Sequence, residues 1–410
     1  MQISVPAKNV AESVTLKLNA KAVKMAEEGR QIYNLTAGQL PIKPAQEFIE
    51  SLKVELNFLK SFQYGPSAGL PELRSKLIKY IEVTREIDFS KAGEIFDCVI
   101  SSGAKHSITN IFAAMINPGD KVVILSPYWI SYPVIVQLFR GVPLVVKSNL
   151  IDGFIPSMSD IEKRLKEGAK AIILNSPNNP AGIHYSAEWM KDLAQLLLKY
   201  PNVTIVSDEI YYELYYFDPR PRYFYQFEPS LLKRTIIIDG ISKSFASTGL
   251  RIGFCVGPKS FLDYVSRLQG QTTSCANSLT QRALLDFDFN TISQFLRPIK
   301  ELLRQNSYTI RDTLKANNLE KIWYQPNSAF YYMIDLSATP VFERFVQENK
   351  NQREVDYGDK ICDELLEKYG VAIVPGNDFG LPNFARISHV LDKRPFAEAM
   401  EKLSQYLINK

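Results

Sequence analysis

Clustered cysteine and histidine are missing from this chain. Its four cysteines (Cys98, Cys255, Cys275, Cys362) stand far apart, with no Cys-x-x-Cys pair. That excludes a disulfide framework or a zinc ribbon and reads as free thiols in a reducing compartment. Only three histidines occur, His106, His184 and His389. They are too few for a multi-histidine metal site and leave little choice for a histidine-based triad. Charge of one sign is also scarce: 48 basic against 44 acidic residues leave +4. The clustered Lys/Arg of a nucleic-acid or acidic-membrane surface is absent. Residues 1–10 hold no apolar run of the kind a secretory leader needs. The uncharged stretch from Val122 to Phe139 approaches the length of a membrane span. Ser126, Pro127, Ser131, Pro133 and Gln137 divide it into strand, turn and helix. A soluble, cytoplasmic protein with no metal, nucleic-acid or membrane partner is expected.

What remains is an ordinary globular balance, 46% hydrophobic and 22% charged over 410 residues. Such a length gives a prior of about 2.7 domains and buries enough surface to fold without staples. From Glu94 to Leu285, short apolar runs rich in β-branched residues alternate with helical periods. The runs are DCVIS, KVVIL, VPLVV, AIILN, VTIVS, TIIID and RIGFCVG. Near-continuous apolar runs mark strands buried on both faces, so an α/β, doubly wound, mostly parallel sheet is expected. The flanks differ. Residues 12–29 read as an amphipathic helix ending at Gly29. A long helix is expected from Ile292 to Ala316, strands near 329–335 and 371–374, and a closing helix after Lys393. These divide the chain into residues 1–45 (an arm and part of a small domain), a large domain over 46–290, and a small α+β domain over 291–410.

Ligands of open α/β sheets sit beyond the carboxyl ends of the strands, so the residues after each strand carry the chemistry. Ser102-Gly103-Ala104-Lys105-His106 opens a helix with a glycine and a cation, the makings of a phosphate cup. Ser126-Pro127-Tyr128-Trp129 offers a ring to stack on a flat heterocycle. Asn175-Ser176-Pro177-Asn178-Asn179-Pro180-Ala181-Gly182 is a shaped turn that would fix an amide such as Asn179. Asp208-Glu209-Ile210-Tyr211 brings a carboxylate out of a buried strand, where only a cation or proton donor offsets its desolvation. In Gly240-Ile241-Ser242-Lys243-Ser244, Lys243 stands among apolar neighbours where it can lose its charge and attack a carbonyl. Arg251, between Gly249 and Gly253, offers a planar fork for phosphate. The glycines of a P-loop are missing before Lys243, which excludes that reading. Taken singly, these are a tight turn, a core aromatic, a surface loop and an ion pair. In order along one sheet they match one ligand, pyridoxal 5′-phosphate, with its phosphate, ring, phenolic oxygen, pyridine nitrogen and aldehyde.

The segments YNLTAG, YGPSAGLPELR, SPYWISYP, NSPNNPAG, VSDEIY, SKSFASTGLRIG, VAIVPGNDF and ARIS together resemble the fold type I pyridoxal-phosphate aminotransferases of class I. The likeness is strongest to the bacterial aspartate aminotransferases in the branch that also holds prephenate aminotransferases. It implies a homodimer with shared sites and a ping-pong transfer from an amino acid, with aspartate favoured, to a 2-oxo acid such as 2-oxoglutarate. By that resemblance Lys243 carries the cofactor covalently, Asp208 holds its pyridine nitrogen protonated, and Asn179 and Tyr211 bind its phenolic oxygen. Lys243, Asp208 and Tyr211 are the catalytic set. Ala104, Lys105, Ser242 and Arg251 hold the phosphate, joined by Tyr64 from the neighbouring subunit. Trp129 stacks on the ring and, with Gly38, Asn179 and Arg386, meets the substrate.

Three departures stand out: Gly38-Gln39-Leu40-Pro41 replaces the family's usual Gly-Glu-Pro-Asp, Ala11 stands where prephenate-active members carry lysine, and His389 follows ARIS where an aromatic is usual. All three histidines are expected to be structural. The same framework supports aromatic or other aminotransferases and carbon–sulfur lyases. A ligand-sensing transcription regulator would carry a DNA-binding domain where this chain has a short arm.

Overall fold

The computed structural model describes residues 2–4, 8 and 14–409; Ala11 lies outside them. Seven strands form the central sheet: β1 (Phe96–Ser101), β2 (Lys121–Leu125), β3 (Val142–Val146), β4 (Ala169–Asn175), β5 (Thr204–Asp208), β6 (Thr235–Gly240) and β7 (Gly253–Pro258). Their order is β1-β7-β6-β5-β4-β2-β3. The sheet is parallel except for β7, which runs antiparallel to both its neighbours, β1 and β6. Alternate residues feed two cores. Cys98, Ile100, Val123 and Leu125 pack on one face with Leu73, Leu77 and Ile81 of helix α1 (Pro71–Arg85). Val99, Val122 and Ile124 pack on the other with Ile108, Ile111 and Phe112 of α2 (Ala104–Met115).

Residues from both ends of the chain build a second, smaller core. It joins Tyr33 and Leu35 to residues between Ile310 and Leu407. Its sheet is antiparallel, β8 (Tyr331–Asp335), β9 (Val374–Pro375) and β10 (Phe384–Ser388), in the order β9-β10-β8. A parallel pairing of Tyr33–Asn34 with Val371–Ala372 ties in the N-terminal segment. The helix α3 (Ile292–Ala316) serves both cores: Ile292, Leu296 and Leu303 pack under the large sheet, Ile310 and Leu314 in the small unit. The closing helix, α4 (Lys393–Ile408), lies on the small unit. The stretch 122–139 is a strand, a turn at Ser126–Ile130 and a helix over Ser131–Leu138. Among the described residues no helix is long and apolar enough to cross a membrane.

Candidate active site

The carboxyl ends of the parallel strands open into a cavity of about 940 Å³. Of the site residues expected from the sequence, Gly38, Ala104, Lys105, Trp129, Asn179, Asp208, Tyr211, Ser242, Lys243, Arg251 and Arg386 line it. Tyr64 does not; its side chain stands 89% exposed. The antiparallel turn of β7 explains part of this convergence. The segment between β6 and β7 starts and ends on the same side of the sheet, so it delivers both Lys243 and Arg251 to the cavity.

Lys243 follows β6 on a single helical turn, Ile241–Ser244, and its Nζ donates to the carbonyl of Gly38. Loss of hydration, with the nearby positive charges of Arg386 and Arg251, pushes its pKa down to about 8. Roughly a tenth of the amine is therefore a neutral nucleophile at pH 7, far more than for an ordinary lysine.

Asp208 ends β5 and is buried. Burial pushes its carboxyl up to about 6, against the hydrogen bonds it accepts from Tyr132 Oη at 2.6 Å and from the Ile210 N–H. Its carbonyl accepts from Asn175 Nδ2 at 3.0 Å, and Asn175 Oδ1 accepts the Asn179 N–H at 2.9 Å. The Ser176–Pro177 and Asn179–Pro180 bonds in this loop are both cis. Asn179 Oδ1 then accepts from Arg386 at 3.0 Å, so one chain of hydrogen bonds links β5, the proline loop and β10. The hydroxyls of Tyr211 and Tyr331 lie 3.0 Å apart.

Arg386 is only 3% exposed, with its guanidinium against the rings of Tyr331 (4.5 Å) and Phe379 (4.8 Å). It donates to the Thr36 carbonyl, while its buried Nε has no partner. No carboxylate of the described residues lies within ion-pair distance of Arg386, Arg251, Lys105 or Lys243. Burial lowers the Arg386 pKa. Such a group is built to receive an anion.

At the other end of the cavity, Ala104 opens α2 without a side-chain cap. Gly103 (φ +91°) and Gly253 let the chain pack tightly there: a Cβ on Gly103 would lie 2.5 Å from the Arg251 guanidinium, and one on Gly253 would lie 2.1 Å from the Ala104 nitrogen, so only glycine lets Arg251 and β7 come this close to the start of α2. The uncapped start of α2, Arg251 and Lys105 thus line the same cavity, a set of donors suited to an anion. Lys105 Nζ sits 4.8 Å over the Trp129 ring, its pKa lowered by burial and by Arg251.

Sequence reasoning missed Tyr132 and Tyr331. Tyr132 follows Trp129 by three residues, meets it edge to face at 5.4 Å, and stands within a motif already singled out. Tyr331 carried no local signal, since it is one tyrosine in a strand of the small unit. Of the departures, Gln39 lines the cavity and accepts from Thr248 Oγ1 at 2.9 Å, while Leu40 is buried. The three histidines have structural partners or burial. His106 Nδ1 accepts the Ser102 N–H; burial lowers the pKa of His184 to about 4 and that of His389 to about 3. His389 Nε2 lies 3.1 Å from Tyr216 Oη.

A depressed lysine, a buried carboxylate and cations at both ends of one cavity define an enzyme for amino-group chemistry. The family model described as aminotransferase class I and II matches residues 30–403. The chain belongs to that family, and the enzyme is an aminotransferase. It is 31% identical over 399 residues to the aspartate/prephenate aminotransferase of Thermus thermophilus, covering 96% of each chain. The aspartate aminotransferase of Bacillus sp. is 29% identical over 402 residues, covering 98% of this chain and 97% of that one. The structure of the Thermus thermophilus aspartate aminotransferase with maleate superposes at a TM-score of 0.88, with 28% identity and coverage of 99% of this chain and 100% of that one.

Proposed function

We propose that this aminotransferase uses pyridoxal 5′-phosphate to move the amino group of aspartate to a 2-oxo acid such as 2-oxoglutarate, as a cytoplasmic homodimer. The observation that carries the reading is Arg386, a buried cation with no carboxylate of the described residues in ion-pair distance, lining one cavity with Lys243. Arg386 meets the α-carboxylate common to every amino donor, and the likeness to relatives named aspartate aminotransferase favours aspartate among them. The Thermus thermophilus relative was solved with maleate, itself a dicarboxylate.

The donor set fits the cofactor. The uncapped start of α2 with Lys105 and Arg251 on the cavity wall suits a phosphate, and Asp208 is a buried carboxylate that lines the same cavity, where a cationic partner can reach it. In this reading residues 46–290 hold the cofactor, while 1–45 and 291–410 form the smaller unit that brings Arg386 to it. Ala104, Lys105, Ser242 and Arg251 grip the phosphate, Trp129 lies against the ring, and Asn179 and Tyr211 meet its phenolic oxygen. When bound, the cofactor supplies an electron-withdrawing ring that stabilises negative charge at the substrate's α-carbon. Asp208 keeps a proton on the pyridine nitrogen. Arg386, assisted by the Gly38 N–H, orients the α-carboxylate. Lys243 Nζ binds the cofactor and takes the proton from the substrate's α-carbon. Both half-reactions use one site, which gives ping-pong kinetics.

Tyr64 supports the dimer. It stands beside a run of exposed apolar side chains, Phe58, Leu59 (72%) and Phe62 (67%), a grouping suited to an interaction surface. The test is a screen of amino donors against 2-oxoglutarate with purified holoenzyme. Aspartate should be fastest; a faster aromatic donor, or sulfide or ammonia released without transfer, would overturn the assignment.

A further inference from the structure

Outside the lining of the cavity lies a buried cation that the chemistry above does not use. Arg85, the last residue of α1, is 1% exposed. Its Nε donates to Glu209 Oε2 at 2.9 Å and one terminal nitrogen donates to Asp239 Oδ2 at 2.6 Å. The other terminal nitrogen meets Thr84 Oγ1 at 2.8 Å, and the guanidinium lies 3.7 Å from the Tyr212 ring. Both carboxylates are otherwise satisfied. Glu209 Oε1 accepts from Ser207 (2.7 Å) and Tyr225 (2.8 Å), and Asp239 Oδ1 accepts the Gly240 N–H (2.7 Å). The other titratable groups facing this cluster are Tyr80, Asp208, Glu213 and Tyr223.

The places of the two carboxylates in the chain matter. Glu209 immediately follows Asp208, and Asp239 stands four residues before Lys243. One guanidinium therefore clamps the ends of the two adjacent strands that deliver the acid and the amine. Stability alone explains the arrangement poorly, because a buried ion triad can be replaced by well-packed apolar side chains at little or no loss.

We propose that Arg85 is a positioning residue for amino transfer, whose fork fixes Glu209 and Asp239 and through them the directions in which Asp208 and Lys243 enter the cavity. The inference rests on the roles assigned to Asp208 and Lys243 above.

The test compares wild type with Arg85→Lys, which keeps the charge and loses the fork, and with Asp239→Asn, a near-isosteric change that frees one arm. Steady-state kinetics are read on the holoenzymes. The pH midpoint of Lys243 acylation, followed by peptide mass spectrometry, is read on the cofactor-free proteins. The variants should keep KM within about twofold, lose about 10- to 100-fold in kcat, and show a Lys243 midpoint displaced by more than ~0.5 pH. An unmoved midpoint in a folded variant overturns the proposal, whatever happens to melting temperature or kcat. Should Arg85→Lys fail to fold, Asp239→Asn gives the same two readings. A wild type without transaminase activity would defeat the functional reading instead, while the acylation midpoint would still decide for or against Arg85.

Discussion

Lys105, Lys243, Arg251 and Arg386 face one cavity without a carboxylate of the described residues within ion-pair distance. Their charge is held for a ligand, and each assignment has its own expected loss. Lys243→Ala removes both the covalent anchor and the proton-transfer group. Transamination should fall by at least the ~10²–10⁴-fold typical of such a group, with the cofactor still bound non-covalently; steady-state assay and absorbance check both. Arg386→Lys keeps the charge but gives up the fork, and loss of charge-assisted hydrogen bonds worth about 1.5–3 kcal/mol should raise KM for donor and acceptor about 10- to 100-fold. Tyr132→Phe acts through Asp208. The hydrogen bond from Tyr132 favours the ionised carboxylate, which already titrates at about 6. Without it the carboxyl takes up its proton at higher pH, so the acid-side fall in cofactor affinity should move to higher pH. Equilibrium dialysis across pH 5 to 8, roughly the range bracketing that group, would show it; an unmoved fall would mean that the hydroxyl has no part in holding Asp208 charged.

At the scale of elements, the site depends on strand ends and the tight turns beside them. Gly182 (φ +69°) closes the Asn-Pro-Ala-Gly turn, where a Cβ would lie 1.9 Å from the Tyr331 carbonyl of β8. Gly182→Ala should therefore pull the proline loop off β8 and shift Asn179 away from Arg386. The expected signs are a lower melting temperature and a raised KM in the same variant. These turns were legible in the sequence because glycine, proline and asparagine mark them locally, and the seven apolar runs marked the strands. Strand direction was not legible. A run buried on both faces looks the same parallel or antiparallel, so β7, the strand that brings Arg251 back beside Lys243, gave no sign of its reversal. Arg85 was hidden for a related reason. Arg85 belongs to no motif of the sequence, and only its ion pairs with Glu209 and Asp239, from strands far along the chain, show the charge to be buried.

For the whole molecule, the small unit contributes Arg386 and Tyr331 from residues far along the chain, and Tyr64 is exposed and outside the lining of the cavity. The eight family segments pointed to each of these except Tyr331, which no motif marks. If Tyr64 completes the phosphate site of a second copy, the protein sediments as a dimer and Tyr64→Phe weakens cofactor binding about 10- to 100-fold, the worth of one hydrogen bond to a charged group. Unchanged affinity in an intact dimer would remove Tyr64 from the site. The most direct measurement concerns the lysine itself. Borohydride reduction of the holoenzyme, followed by proteolysis and mass spectrometry, should place a pyridoxyl-phosphate adduct on the peptide containing Lys243 and on no other. An adduct on a different lysine, or none, would contradict the account.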